Sequence, residues 1–269
     1  KELITEIPDS QKLKVLFDEL EFKTLGTRIL SEIDKNKLPA AEEKPEKLPE
    51  ESTQGTLFSG AEVMEEITAK LTIYDVSHNY VLISNDSELR NIIRLALMQK
   101  EICFDTETTN IDPLNAEIVA ISLSWEKGTG YLIHFHESPD ETKKLLEIIR
   151  PLLENTSILK IGQNLKYDLQ ILRNYNIKVK GPLFDTMIAH YLLEPDMRHN
   201  MNLMSETYLS YSPVHIESLI GEKGNSQKNM RAVKVDLLKE YAVEDADVTL
   251  QLKNIFEPRI NAEGLEKLS

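Results

Sequence analysis

The spacing of hydrophobic positions becomes regular at about residue 67 and stays so to about residue 257. Short apolar or alternating runs predict strands near 70–75, 80–83, 101–106, 117–125, 130–135 and 157–161. Apolar residues spaced by three and four predict helices at 86–99, 141–154, 165–175, 186–193, 200–209 and 236–257. We therefore expect an α/β fold with a mixed sheet and helices on both faces. Short turns between the strands from 101 to 135 predict antiparallel hairpins.

The segment before residue 67 has a different character. Residues 11–33 show helical spacing, and one face of that helix would carry Leu13, Leu16, Phe17 and Leu20. Between about 35 and 60, proline and charge occur without hydrophobic periodicity. Such a composition cannot bury enough apolar surface to offset the entropy of ordering, so we predict a flexible linker over 35–66.

Two carboxylates lie two residues apart at the end of an apolar strand. Asp105 and Glu107 follow the apolar run 102–104, and alternate residues of a strand point to the same face. Two ionised acids on one partly buried face repel each other and lose hydration. A divalent cation would relieve both effects. An edge strand that exposes both acids to water explains this segment equally well.

Two predicted helices each carry an acid within an apolar face. Asp168 interrupts the stripe formed by Leu165, Leu169, Leu172 and Tyr175. Asp245 interrupts the stripe formed by Leu238, Tyr241, Ala242, Val248, Leu252, Ile255 and Phe256. One inward Asp is usually a satisfied core residue that caps a neighbouring helix. Two of them, together with the acid pair on the strand, indicate four carboxylates converging on metal.

The types of residue available favour a hard cation. Magnesium and manganese prefer carboxylate oxygens, whereas zinc has few suitable ligands because Cys103 is the only cysteine and the six histidines lack zinc-binding spacing. A four-acid site is best matched to two-metal phosphoryl chemistry. Tyr241 lies one helical turn before Asp245, so its phenol could hydrogen-bond an attacking water. An ordinary aromatic of the core is the alternative.

Three motifs, in this order, resemble those of a known family. They are Phe-Asp-Thr-Glu-Thr at 104–108, Gly-Gln-Asn-Leu-Lys-Tyr-Asp at 162–168 and Tyr-Ala-Val-Glu-Asp-Ala-Asp at 241–247. They resemble the exonuclease motifs of the proofreading domain of bacterial DNA polymerase I (family A), in the tyrosine branch of the DEDD 3′–5′ exonucleases. The resemblance covers about residues 67–257 and implies a ribonuclease H-like architecture.

The resemblance also implies roles for single residues. Asp105, Glu107 and Asp245 would ligate the tighter of two divalent cations, Mg²⁺ or Mn²⁺. Asp105 would also reach the second cation, which Asp168 would hold partly through water, while Tyr241 with Glu107 would orient the nucleophile. The positions that contact the 3′-terminal nucleotides in the family are Gln163, Asn164, Lys166, Tyr167 and Arg198. Ile111 stands where an apolar side chain wedges against the end bases, and Ile216 where a well-known member has an aromatic.

Other polar residues have simpler interpretations. We expect Asp185 to cap the helix that begins near 187, and Asn164 to cap the helix that begins at 165. Asp247 lies about opposite Asp245 on its helix and is predicted to be solvated. The polar stretch 221–234 either follows a nucleic-acid backbone or is a solvated loop. Its basic residues are Lys223, Lys228, Arg231 and Lys234.

Length, composition and charge restrict the classes of protein to which the chain can belong. With 269 residues, 41% of them hydrophobic, the chain can bury one substantial core. Its net charge of −14 argues against broad binding to duplex phosphates but is compatible with a site that grips a few nucleotides. A single cysteine excludes an internal disulfide. No apolar run is long enough to cross a membrane and no signal peptide is present, so we expect a cytoplasmic location. The resemblance implies a bacterial, nucleoid-associated protein.

These observations lead to one expected function. We expect a metal-dependent 3′–5′ exonuclease that acts on a single-stranded DNA 3′ end, as a monomer, beside a polymerase domain of the same full-length chain. Expected domains are the helical end of a 5′-nuclease-like domain (1–34), the linker (35–66), the exonuclease domain (67–257) and the start of the polymerase domain (258–269). The alternatives are a ribonuclease D-type RNA exonuclease and an inactive scaffold.

Overall fold

A mixed sheet of six strands organises the part of the chain that the structure describes. This part of the computed structural model comprises residues 70–222, 224 and 227–266, together with the isolated Leu13. The strands are β1 (Asn79–Leu82), β2 (Glu101–Thr108), β3 (Ile118–Glu126), β4 (Thr129–His134), β5 (Leu159–Gly162) and β6 (Leu183–Asp185). Their order in the sheet is β1-β4-β3-β2-β5-β6.

The helices lie between these strands and after the last of them. They are α1 (Asp86–Ala96), α2 (Pro139–Leu153), α3 (Leu165–Asn174), α4 (Thr186–Leu193), α5 (Met201–Leu209), α6 (Glu217–Ile220) and α7 (Val235–Ala262), with a 3₁₀ turn at Met230–Ala232. None of the helices in the described ranges is long and apolar enough to span a membrane.

Strand directions follow from the lengths of the connections. The short turns β2–β3 and β3–β4 give antiparallel pairs, as predicted, whereas β1 pairs with β4, and β5 with β2 and β6, in parallel. Parallel neighbours need longer crossover connections, which α1, α2, α3 and the following loops provide. The predicted mixed sheet of an α/β fold is confirmed.

Helices cover both faces of the sheet. On one face, Leu89 of α1, Ile149 of α2 and Leu172 of α3 pack in one apolar cluster with Phe104 of β2. On the other face lies α7, against which α4 and α5 pack. Because α7 is enclosed between the sheet and other helices, every residue from 242 to 250 is buried. The apolar stripe predicted from the sequence therefore corresponds to only one of the buried sides of α7.

Three parts of the secondary structure differ from the prediction. Residues 70–75 are not a strand, and only Leu71 forms an isolated bridge, to Tyr211. The reason is local, since the Asp75 carboxylate accepts hydrogen bonds from Thr72 N and Oγ1 and closes a turn instead of a ladder. Strand β6 and helix α6 were not predicted because segments of three and four residues carry no periodicity.

Most of the predicted domain boundaries lie outside the residues that the structure describes. The chain divides into two compact units, Lys1–Met64 and Glu65–Ser269, and the sheet and its helices belong to the second. The segments predicted at 1–34 and 35–66 lie outside the described residues apart from Leu13. The boundaries at 67, 257 and 258 stay predictions, and α7 continues past the last of these to Ala262.

Candidate active site

Strand β2 and helix α7 bring three carboxylates together. Asp105 and Glu107 project from β2 toward the face covered by α7, because they alternate with Phe104 and Thr106, which face the other way. Asp245 approaches from α7. One carboxylate oxygen from each of Asp105, Glu107 and Asp245 lies within 4.8 Å of the others. This separation is short enough for all three to contact a single cation.

The fourth acid lies beside this group rather than in it. Asp168, in the first turn of α3, is 2% exposed. Its Oδ1 accepts hydrogen bonds from the backbone N of Thr106, at 3.1 Å, and from the Thr106 hydroxyl. Asp168 lines the same cavity as the three acids. Its position suits a second, neighbouring cation.

Burial and mutual repulsion perturb all four acids. Desolvation, followed by the charges of Asp168, Glu107 and Asp245, raises the pKa of Asp105 well above its usual range. Desolvation and the charge of Asp168 raise the pKa of Glu107 to about 8. Desolvation also raises the pKa of Asp168 to about 7, although the hydrogen bonds from Thr106 act in the opposite direction. Without a counter-charge, burial and mutual repulsion therefore favour the protonated, neutral forms of these acids.

The residues present fit a hard divalent cation. Oδ1 of Asp245 is buried and has no hydrogen-bond partner among the described residues, so a lone pair in the interior is left for another ligand. The group contains only carboxylates, which are the ligands that magnesium and manganese prefer. A cation there would offset the desolvation and repulsion that act on the acids.

Tyr241 lies beside the acids on the same side of α7. It lines the cavity one helical turn before Asp245 and packs partly against the apolar cluster that contains Leu238 and Ala242. Burial, and then the charges of Asp245, Glu107 and Asp105, raise the pKa of the phenol far above its usual range. Tyr241 therefore stays neutral and can act as a hydrogen-bonding group, not as an anionic metal ligand.

The cavity above the acids has a volume of about 850 Å³. Of the residues expected to contact nucleotides, those on its wall are Ile111, Gln163, Asn164 and Tyr167. The Tyr167 hydroxyl donates to the carbonyl of Asn110 at 2.5 Å, which fixes the loop that carries Ile111, whose side chain is 87% exposed. Gln163 Nε2 donates to the carbonyl of His199 at 2.9 Å.

Two other residues expected to contact nucleotides lie elsewhere. Lys166 is exposed on α3 and lines a separate depression of about 710 Å³, between α3 and β6. Arg198 is exposed in the loop before α5 and does not line the cavity. The structure therefore brings together the four acids, Tyr241 and four of the six expected contact residues.

Comparison with known proteins agrees with this arrangement. Residues 80–261 match the sequence profile of the 3′-5′ exonuclease family. This chain belongs to the 3′-5′ exonuclease family. It is 30% identical over 222 residues to DNA polymerase I of Borreliella burgdorferi, covering 81% of this chain and 24% of that protein. It is 34% identical over 170 residues to DNA polymerase I of Pseudomonas aeruginosa, covering 60% and 18%.

The similarity extends to the fold. RNase D of Escherichia coli, an exoribonuclease involved in structured RNA processing, superimposes with a TM-score of 0.55 at 22% identity, over 69% of this chain and 46% of that one. The resemblance to a DNA polymerase I exonuclease domain and the ribonuclease H-like fold are thus confirmed. The chain spans about a quarter or less of the length of the two polymerase relatives.

The exonuclease motif at 162–168 is held by a cap from another strand. Asn164 has a left-handed backbone, with φ 59°, and its side chain does not cap α3, so that prediction was wrong. Asp185 caps instead, accepting from the backbone N of Asn164 at 3.1 Å and of Leu165 at 2.8 Å. It also caps α4 through Met187 N and Ile188 N, as predicted. Because Asp185 satisfies the helix end, the Asn164 side chain is left at the cavity wall.

Two further acids of α7 in this exonuclease are buried, although the sequence analysis predicted a solvated Asp247 and did not single out Glu244. Asp247 was predicted to be solvated, but it is 4% exposed and accepts from the Tyr80 hydroxyl at 2.8 Å and from Gly128 N at 3.0 Å. Glu244 is fully buried and accepts from the Tyr211 hydroxyl and from Val214 N. The prediction failed because the side of α7 that faces away from Tyr241 is enclosed as well. Both acids anchor α7 to other elements.

The raised pKa values predict a stability that depends on pH in the metal-free exonuclease. Glu107 would titrate near its ordinary pKa of 4.5 when unfolded but near 8 when folded. Its stabilising contribution is complete below about pH 4.5 and is lost as the pH rises through about 8. We expect the melting temperature in chelator to fall across this window, and saturating magnesium to reverse the fall by binding the folded state.

Thermal melts in chelator and in magnesium, for the parent and for Glu107→Gln, measure this effect. The variant should lose part of the pH dependence because its amide does not ionise. A flat profile for the parent in chelator, or an unchanged slope in Glu107→Gln, would contradict the described electrostatics.

Substitutions of Asp245 and Asp247 should have different effects, the first on nuclease activity and the second on stability. Asp245→Ala removes an acid of the three-carboxylate group and should abolish magnesium-dependent nuclease activity. Asp247→Ala should lower the free energy of unfolding by roughly 1–3 kcal/mol, because the Tyr80 hydroxyl and Gly128 N lose their buried acceptor. It should retain most activity below its melting temperature. Rates and urea unfolding of both variants are the measurements, and the reverse order of effects would refute the assignment.

Proposed function

We propose that this chain is a 3′–5′ exodeoxyribonuclease that uses two divalent cations to release nucleoside monophosphates from a DNA 3′ end. The observation that carries the proposal is the group of Asp105, Glu107 and Asp245 within 4.8 Å, beside the buried Asp168 and with one acid oxygen lacking any partner. Hydrolysis of a phosphodiester needs negative charge to be stabilised on both the attacking and the leaving oxygen. Paired divalent cations suit that requirement.

Each acid has a place in the proposed mechanism. Asp105, Glu107 and Asp245 would hold one cation, and Asp105 and Asp168 the other. When bound, the cations supply Lewis-acid stabilisation and lower the pKa of the attacking water. Thr106 fixes one oxygen of Asp168 by two hydrogen bonds, and Asp168 lines the same cavity as the other acids. The ligands are thereby oriented before any substrate arrives.

Tyr241 and the walls of the cavity would position the reactants. The neutral phenol of Tyr241, with Glu107, would orient the attacking water in line with the scissile bond. Ile111 would pack against the terminal base, and the amides of Gln163 and Asn164 with Tyr167 would contact the last nucleotides. Lys166 and Arg198, which lie off the cavity, could reach only a more distant part of the strand.

The proposed biological setting follows from the relatives. Both polymerase relatives are bacterial DNA polymerases I, so we place the activity in proofreading during replication and repair, in the bacterial cytoplasm. A polymerase domain of the same full-length chain would deliver a frayed single-stranded 3′ end. The domain would act as a monomer within that chain.

An assay on matched DNA and RNA single strands tests this function. With magnesium, a DNA strand should be shortened stepwise from its 3′ end to give nucleoside 5′-monophosphates, and chelator should stop the reaction. Faster cleavage of RNA than DNA would favour the ribonuclease D-type alternative. Failure on both strands despite bound magnesium, measured by calorimetry, would favour the inactive scaffold.

Tyr241→Phe should separate water positioning from metal binding. Removing the phenolic oxygen should lower kcat by roughly 10²–10³-fold, since positioned hydrogen-bonding groups contribute on that scale. Magnesium affinity should stay near the parental value because Tyr241 is not a ligand. Rates and calorimetry together make the measurement.

The matched control is Tyr211→Phe, which removes a hydroxyl that donates to Glu244 of α7 but does not line the cavity. It should reduce stability and leave kcat close to parental. An equal loss of kcat in both tyrosine variants, or a loss of magnesium affinity in Tyr241→Phe, would assign Tyr241 a structural role.

A further inference from the structure

The charges on the wall of the active-site cavity are strongly unequal. Four acids form its floor and Glu217 stands on its wall. Among the described residues that line it, the only Lys or Arg is Lys228. Of the described residues on its wall, Lys228 is thus the one that offers a positive charge to a polyanionic strand.

Lys228 differs from Arg231 because its ammonium has no partner among the described residues. Its side chain is exposed, and within the described ranges its ammonium forms neither an ion pair nor a hydrogen bond. Arg231, by contrast, donates to the Glu117 carboxylate at 3.1 Å and to the carbonyl of Ile118 at 3.2 Å. Lys234 is exposed outside the cavity, and Lys223 lies outside the described residues. The ammonium of Lys228 is therefore available to a ligand.

The backbone around Lys228 is fixed on both sides. Its own N donates to the carbonyl of Ile220 at 2.9 Å, and Gln227 Nε2 donates to the carbonyl of Gly221 at 3.2 Å. Two residues further on, Met230 is 4% exposed and packs in the same apolar cluster as Leu238 and Ala242. This anchoring holds Lys228 at the wall of the cavity that Tyr241 also lines.

Charge balance indicates what Lys228 would contact. In the proposed function, on which this inference rests, two divalent cations offset the four acids and stabilise the scissile phosphate. Every further phosphodiester adds a negative charge that the cations do not touch, while Gln163 and Asn164 offer only neutral amides. We infer that Lys228 forms an ion pair with a non-scissile backbone phosphate of the bound strand. An ammonium is a point charge, so the contact fixes the strand without selecting bases.

Substrates with one neutral linkage test the contact directly. A methylphosphonate replaces one charged phosphate, and it is placed in turn at each of the first three linkages on the 5′ side of the scissile bond. For the parent, KM should rise roughly tenfold at one of these positions, the size expected for one charged hydrogen bond. On the unmodified strand, the KM of Lys228→Ala should already be raised to the value that the parent shows with the modified strand. A methylphosphonate at that position should raise the KM of the variant no further. The kcat of Lys228→Ala should equal that of the parent.

A salt titration supplies an independent readout. Each phosphate contact to a single strand contributes about 0.7 to the slope of log affinity against log salt. We expect the slope measured through KM to be shallower by about that amount in Lys228→Ala. Loss of a merely structural residue would leave this slope unchanged. Lys228→Arg should restore the parental slope, and Lys234→Ala, an exposed cation off the cavity, should match the parent throughout.

The results of these experiments distinguish a failure of the Lys228 contact from a failure of the proposed exonuclease function. Cleavage by the parent together with equal methylphosphonate penalties in the parent and Lys228→Ala at every linkage would overturn the contact and leave the exonuclease intact. Absence of magnesium-dependent cleavage by the parent on any strand would overturn the proposed function and the inference with it. A parental melting temperature for Lys228→Ala, expected of an exposed side chain, excludes misfolding as the cause of a raised KM.

Discussion

Repulsion between carboxylates that water cannot fully hydrate is the constraint on which the rest of this structure depends. Asp105, Glu107 and Asp245 have oxygens within 4.8 Å of one another, and both burial and repulsion raise the pKa of each. Such a group opposes folding unless a cation or protons neutralise it. The fold holds it because β2 lies in the middle of the sheet and residues 242–250 of α7 are all buried.

The acids of α7 illustrate how a carboxylate with hydrogen-bond partners differs from one that has an oxygen without them. Glu244 and Asp247 are as buried as Asp245, but tyrosine hydroxyls and backbone N–H groups satisfy both of them. Asp245 has one oxygen with no partner. The satisfied acids fix the position and rotation of the helix, and the unsatisfied acid, with Tyr241, is thereby directed into the cavity. The same distinction separates Arg231, whose donors are used, from Lys228, whose ammonium is available.

Much of the site could be predicted because it depends on local geometry. Strand alternation placed Asp105 and Glu107 on one face, and helical spacing placed Tyr241 with Asp245. The burial of Asp247 could not be predicted, since it depends on β1 and the β3–β4 turn covering a side of α7 that a single helix does not reveal. The left-handed backbone of Asn164 likewise depends on Asp185, twenty-one residues later. That distant cap is part of why Gln163 and Asn164 reach the cavity and Lys166 does not.

Anomalous diffraction from crystals soaked in manganese tests the central claim most directly, because it locates the cations without reference to activity. If the four carboxylates bind cations as proposed, two manganese sites are expected. One should have oxygens of Asp105, Glu107 and Asp245 at about 2.1 Å, the distance expected of a small hard cation, and the other should lie between Asp105 and Asp168. Manganese bound away from these four acids, or none bound at saturating concentration, would contradict the account.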